Sequence, residues 1–103
     1  MKIVKESSFA RALRSVRLAR STAQEEFDVV SGRTYISALE RGLKQPTLPK
    51  VDQLAGVLRV HPLTILTLCY CKAFDHAAAA DLHALVLSEI DSLGLDASPE
   101  RSS

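Results

Sequence analysis

The sequence predicts an all-α protein: five helices forming one small domain, with an additional helix at the C-terminus. Three observations carry that expectation. Glycine and proline are scarce, four of each in 103 residues, while Ala and Leu, which favour helices, are abundant. Apolar residues recur at i, i+4 and i+7, the period of one buried helical face, and not at every second position. The breaks between these stretches carry helix-start and helix-stop residues. The length suits a single compact domain, and an apolar content of 47% is enough to build a core at this size.

The first helix is expected over residues 8–20, with Phe9, Leu13 and Val16 on its buried stripe and Ser7 or Ser8 as cap. The second starts at Thr22. Thr22-Ala23-Gln24-Glu25 reads as a capping box, and Ala23, Phe27 and Val30 mark the inner face. Ser31-Gly32 makes a tight turn. The third helix covers 33–41, held by Ile36 and Leu39 and closed by Gly42. Thr47 caps a fourth over 48–59, with Val51, Leu54, Ala55 and Leu58 inward. Pro62 opens a fifth, over 62–72, preceded by His61 as cap. It is apolar on most sides, as expected of a helix that is central in the core or half covered by a partner. The last helix spans 75–93, where Ala78, Leu82, Leu85, Val86, Glu89, Ile90 and Leu93 give a narrow heptad-like seam. Residues 96–103 read as a flexible tail.

Charge is unevenly placed. Residues 1–72 balance at +6 and residues 73–103 at −5, so one part of the chain suits an anionic partner and the rest does not. Cys69 and Cys71 lie two apart in an apolar run, on different sides of a helix. Packing fits them better than a mutual disulfide or a metal site. His76 and His83 have no metal-ligand partner at suitable spacing. No Gly-rich phosphate loop or motif-supported nucleophile–base pair occurs, Cys69 with His61 or His76 being the one conceivable dyad. No catalytic residue, metal or cofactor is expected. No apolar run approaches the roughly 18 residues of a membrane span, and the N-terminus lacks the apolar stretch of a signal peptide. No membrane association is expected, and the cytoplasm is the expected location.

Two short helices joined by a tight turn, second and third in a small helical domain, have the layout of a helix-turn-helix reader of DNA. Such a helix needs one face fixed in the core and the other small, polar and basic. With Ile36 and Leu39 inward, Thr34, Ser37, Ala38 and Arg41 fall outward at 100° per residue. Arg33 stands at the helix start, where side chains reach the bases. Arg suits the guanine O6/N7 edge, and Thr suits either a hydrogen bond or a thymine methyl. Tyr35, to the side, can bond a phosphate, as can Gln24 beside a helix N-terminus.

Gln24-Glu25-Glu26-Phe27, the run from Arg33 to Gly42 (Arg-Thr-Tyr-Ile-Ser-Ala-Leu-Glu-Arg-Gly), Pro46-Thr47-Leu48, Leu54-Ala55-Gly56-Val57-Leu58 and Val60-His61-Pro62 together resemble the Xre/Cro-repressor family of helix-turn-helix transcriptional regulators. The resemblance covers about residues 8–70. It implies a lambda-repressor-like domain of five helices (residues 1–72 here), with residues 73–95 as an added helix for dimerisation. It implies double-stranded DNA as partner, a palindromic operator, a homodimer, repression more often than activation, and a place at the bacterial nucleoid. By position it puts base readout at Arg33, Thr34, Ser37 and Ala38, where Ala38 offers only a methyl. It puts phosphate contacts at Gln24, Tyr35, Arg41 and Lys44, and a structural ion pair at Arg17 and Glu40. The dimer seam would be Leu82, Leu85, Val86, Glu89, Ile90 and Leu93. The chain departs from the family in one place: about two residues fewer separate Gln24 from Arg33, so either the second helix is shorter or the turn is tighter. The alternative is an antitoxin-like or co-regulator module in which a protein partner binds the last helix.

Overall fold

The computed structural model describes residues 6–95. The tail read over 96–103 and the side chain of Ser7 lie outside the described residues. In order, the helices are α1 (Glu6–Ala19), a 3₁₀ helix η1 (Gln24–Val29), α2 (Arg33–Glu40), α3 (Leu48–Leu58), α4 (Pro62–Tyr70) and α5 (His76–Ser92). Helix α1 packs against α4 and α2, while α3 packs on α4 and η1. Their inward residues form one core: Phe9, Leu13 and Val16 from α1, Phe27 from η1, Ile36 and Leu39 from α2, Val51, Leu54, Ala55 and Leu58 from α3, and Ile65 and Cys69 from α4. These are the stripes that the 3.6-residue period marks. Seven of the large ones, Phe27 among them, are fully enclosed.

The second helix differs from expectation in three ways. It is 3₁₀ and not α; its cap is Ala23, not Thr22; and Ala23 is exposed. The reason is tertiary. Thr22 is buried, its carbonyl accepts a hydrogen bond from Arg17 Nη1 at 3.1 Å, and its hydroxyl is turned to the Arg20 carbonyl. Thr22 therefore belongs to the end of α1. One residue later Glu26 reaches back to the Ala23 N–H at 3.0 Å, which is half of a capping box, since alanine supplies no acceptor.

The 3₁₀ winding also accounts for the missing residues. At about 2.0 Å per residue, six residues cover about 12 Å, a span that takes an α-helix about eight residues at 1.5 Å. The element has fewer residues without being shorter in space. Lys50 of α3 secures its end: Nζ donates to the Val30 carbonyl at 2.9 Å and stands over the Tyr35 ring at 5.6 Å.

Three helices end alike. After α2, Leu43 N donates to Ala38 O and Gly42 N to Leu39 O, with Gly42 at φ 76°. This paired closure through one left-handed residue satisfies carbonyls that a helix end leaves open. The same pairing follows α1, with Ser21 at φ 54°, and α3, with Arg59 at φ 60°. Helix α4 starts as read: His61 Nδ1 accepts from Leu63 N at 2.9 Å. Cys69 is buried, Cys71 is half-buried, and both are free thiols.

Helix α5, capped by Asp75, is attached mainly to α4. Thr67 Oγ1 and His83 Nε2 lie 3.0 Å apart, and Arg11 of α1 stacks over Phe74 in the preceding linker at 5.0 Å. None of its residues is buried. Among the described residues no helix is long and apolar enough to cross a membrane.

Candidate nucleic-acid interface

The surface is built on α2 and the segments at its two ends. Ile36 and Leu39 have no exposure and fix the helix in the core. Arg33 and Thr34, in its first turn, are exposed, as are Arg41 and Lys44 beyond its last; Ser37 and Tyr35 are half-buried. Gly32 is the N-cap residue. The Arg41 side chain folds back, with Nε donating to the Ser37 carbonyl at 3.3 Å.

One expectation about the outer face fails. Ala38 is only 7% exposed. The helical wheel put it outward, but α2 has neighbours on two sides, α1 and η1, and the chain returns over its carbonyl through Leu43. A wheel built on two anchor residues assumes one covered side; this short helix has a wider one. Ala38 is thus unavailable to a base.

A half-buried ionic cluster holds the elements together behind this face. Arg17 of α1 meets Glu40 of α2 side-on, through Nε to Oε2 at 2.5 Å and Nη2 to Oε1 at 2.9 Å. The two side chains are 12% and 5% exposed. The hydrogen bonds to Glu40 keep the Arg17 guanidinium protonated beyond even its ordinary high range, against the opposing effect of burial. Gln24 Nε2 donates to the same Glu40 Oε1 at 3.1 Å. One carboxylate therefore joins α1, η1 and α2, and it fixes where Gln24 stands relative to the start of α2. The amide of Gln24 keeps a second N–H for another acceptor.

Two residues of this region escaped the sequence reading. Lys50 lies on α3, outside any motif, and only the fold brings it to Val30 and Tyr35. Glu25, read as a capping residue, instead lies 3.5 Å from Arg33 Nη2, in an ion pair whose side chains are 61% (Arg33) and 56% (Glu25) exposed. Its charge also acts on Arg17. Among the described residues no cluster of three or more His, Cys, Asp or Glu side chains is arranged to hold a metal ion.

Comparison with known proteins agrees with this arrangement. A family model described as helix-turn-helix matches residues 13–65, from the middle of α1 to the middle of α4, with the turn and α2 at its centre. The chain is 33% identical over 61 residues to the control protein C.BamHI of Bacillus amyloliquefaciens, covering 56% of this chain and 75% of that protein. No solved structure matches. A helical core, a polar and basic exposed start of α2 fixed from behind, and these two matches lead to one assignment: the chain belongs to the helix-turn-helix family of DNA-binding transcriptional regulators.

Proposed function

We propose that the protein is a sequence-specific repressor that binds a palindromic operator as a homodimer, in the cytoplasm at the bacterial nucleoid, with α2 in the major groove. The observation that carries the reading is the two-sidedness of α2: Ile36 and Leu39 have no exposure, while Arg33 and Thr34 are exposed at its N-terminal turn. Arg33 and Thr34 read base edges, joined by Ser37. Arg41 and Lys44 hold phosphates past the end of the helix, with Tyr35 and Gln24 at its flanks. The second copy docks through α5. Its seam residues Leu85, Val86, Ile90 and Leu93 are between 40% and 66% exposed, a degree of exposure that invites cover.

Selection of bound duplexes from a random pool tests the reading. It should yield a two-fold symmetric site whose half-sites lie about one helical turn, 10–10.5 bp, apart or a multiple of it. A pool with no enriched sequence would exclude specific readout. A second reading, docking of a protein partner in an antitoxin-like or co-regulator role, is favoured by one feature of α5: residues 73–95 contain Asp75, Asp81, Glu89 and Asp91 but no Lys or Arg, a charge pattern suited to a basic partner.

A further inference from the structure

The ion pair between Glu25 and Arg33 is out of place for a fold stabiliser. Both side chains are more than half exposed and lie 3.5 Å apart, and pairs of that kind contribute little to stability. It also sets a negative charge beside a surface meant for phosphates, which weakens binding to DNA of any sequence. The carboxylate is held there by a short helix whose neighbouring residue, Gln24, is tied to Glu40, so its position is fixed by the same cluster that positions α2.

The geometry leaves a use for it. Glu25 Oε2 lies 3.5 Å from Nη2 of Arg33. Nη2 carries two N–H bonds, so the one not turned to Glu25 can join Nε or Nη1 in a two-pronged contact with guanine O6 and N7. Arg loses considerable rotamer freedom when it is fixed on a base; a carboxylate that already orients the guanidinium lowers that cost. The pair strengthens as the interface closes and water leaves. On a site that offers Arg33 no guanine, the carboxylate still faces the phosphates and nothing offsets it.

We infer that Glu25 is a specificity-determining residue, positioning Arg33 for its base and disfavouring DNA on which Arg33 finds none. The inference rests on the assignment of Arg33 as a base reader, so the test separates the two. Full-length wild type, Glu25→Gln, Arg33→Ala and the double variant are titrated against the duplex that the wild type selects and against a scrambled duplex of equal length. Glu25→Gln should bind the scrambled duplex more tightly and lower the ratio of selected to scrambled affinity by about three- to tenfold, a part of what a full bidentate base contact is worth. In the Arg33→Ala background the same substitution should leave the ratio unchanged. A ratio that Glu25→Gln does not alter, or alters equally with and without Arg33, overturns the inference; the second pattern would mean that Glu25 meets a base itself. If Arg33→Ala alone leaves the ratio intact, the assignment of Arg33 fails and takes the inference with it.

Discussion

At the scale of single residues, the molecule keeps its buried charges and its exposed charges for different tasks. The Arg17–Glu40 pair is enclosed and bidentate. Removing Arg17 leaves the largely enclosed Glu40 carboxylate with the neutral Gln24 amide in place of its charged partner, and breaking an enclosed pair in this way typically costs about 3–5 kcal/mol. Arg17→Met should therefore lower the stability measured in urea by about 3 kcal/mol. Arg17→Met with Glu40→Leu, an apolar replacement of both, should recover most of that loss; a double variant as unstable as the single one would mean that the pair's value lies in its wider contacts. The exposed cations Arg33 and Lys44 are proposed for different tasks on DNA. Arg33→Ala should cost about 1–3 kcal/mol on the selected site and relax preference at one base pair. Lys44→Ala should weaken all duplexes about equally and reduce the salt slope by about one. Equal behaviour of the two variants would remove the distinction between reader and phosphate holder. The buried thiol of Cys69 adds a pH effect. Burial pushes its pKa up, so the folded state holds the proton more tightly than the unfolded chain. That contribution is complete below the ordinary thiol range and is lost as pH rises through it towards the folded value. Wild type should lose more thermal stability than Cys69→Ala between neutral pH and about pH 10; parallel losses would count against the buried thiol as the cause.

At the scale of elements, local signals located the helices well and their ends less well. Thr47, His61 and Asp75 cap α3, α4 and α5 through their own side chains, and those starts were legible, as was the close of α2 at Gly42. The closures after α1 and α3 were not, because their left-handed residues are Ser21 and Arg59, which carry no glycine signal. The cap of η1 was misplaced because a tertiary contact, Arg17 to the Thr22 carbonyl, outranks a four-residue motif. The 3₁₀ winding had no sequence signature except the shortage of residues before Arg33. Helix α3 shows the mismatch most plainly. Gly56 stands inside it with nothing within 4 Å of where a Cβ would be, while Arg59 occupies the left-handed position at φ 60°. Gly56→Ala should raise stability by about 0.5–1 kcal/mol through helix propensity. Arg59→Gly should add up to about 1 kcal/mol by relieving the left-handed strain. Together they should raise the melting temperature by roughly 4–8 °C per kcal/mol for a chain of this size. A lowered melting temperature for Gly56→Ala would show that the helix needs flexibility there.

At the scale of the whole molecule, α5 is the element that the core does not explain. The family match ends at residue 65, before α5 begins, and the helix buries none of its residues. Leu63 and Tyr70 of α4 are 54% and 55% exposed beside it, so α4 and α5 together present one apolar surface. A lone 17-residue helix gains its stability in water mostly from packing, which makes an unpacked α5 a poor end state for a free monomer. In the proposed homodimer, a second copy docked on this surface would supply the missing cover and, on a two-fold axis, set two α2 helices toward one palindrome. Ile90→Asp places a charge in the middle of the seam without touching the reading surface. In sedimentation velocity the variant should run as a monomer where the wild type is a dimer. Its affinity for the full palindrome should fall towards that for a half-site, while affinity for an isolated half-site should stay unchanged, because each α2 and its supports are intact. A wild type that sediments as a monomer at every concentration, and binds DNA no more weakly after Ile90→Asp, would remove α5 from the dimer and leave its apolar, acidic face to a different protein.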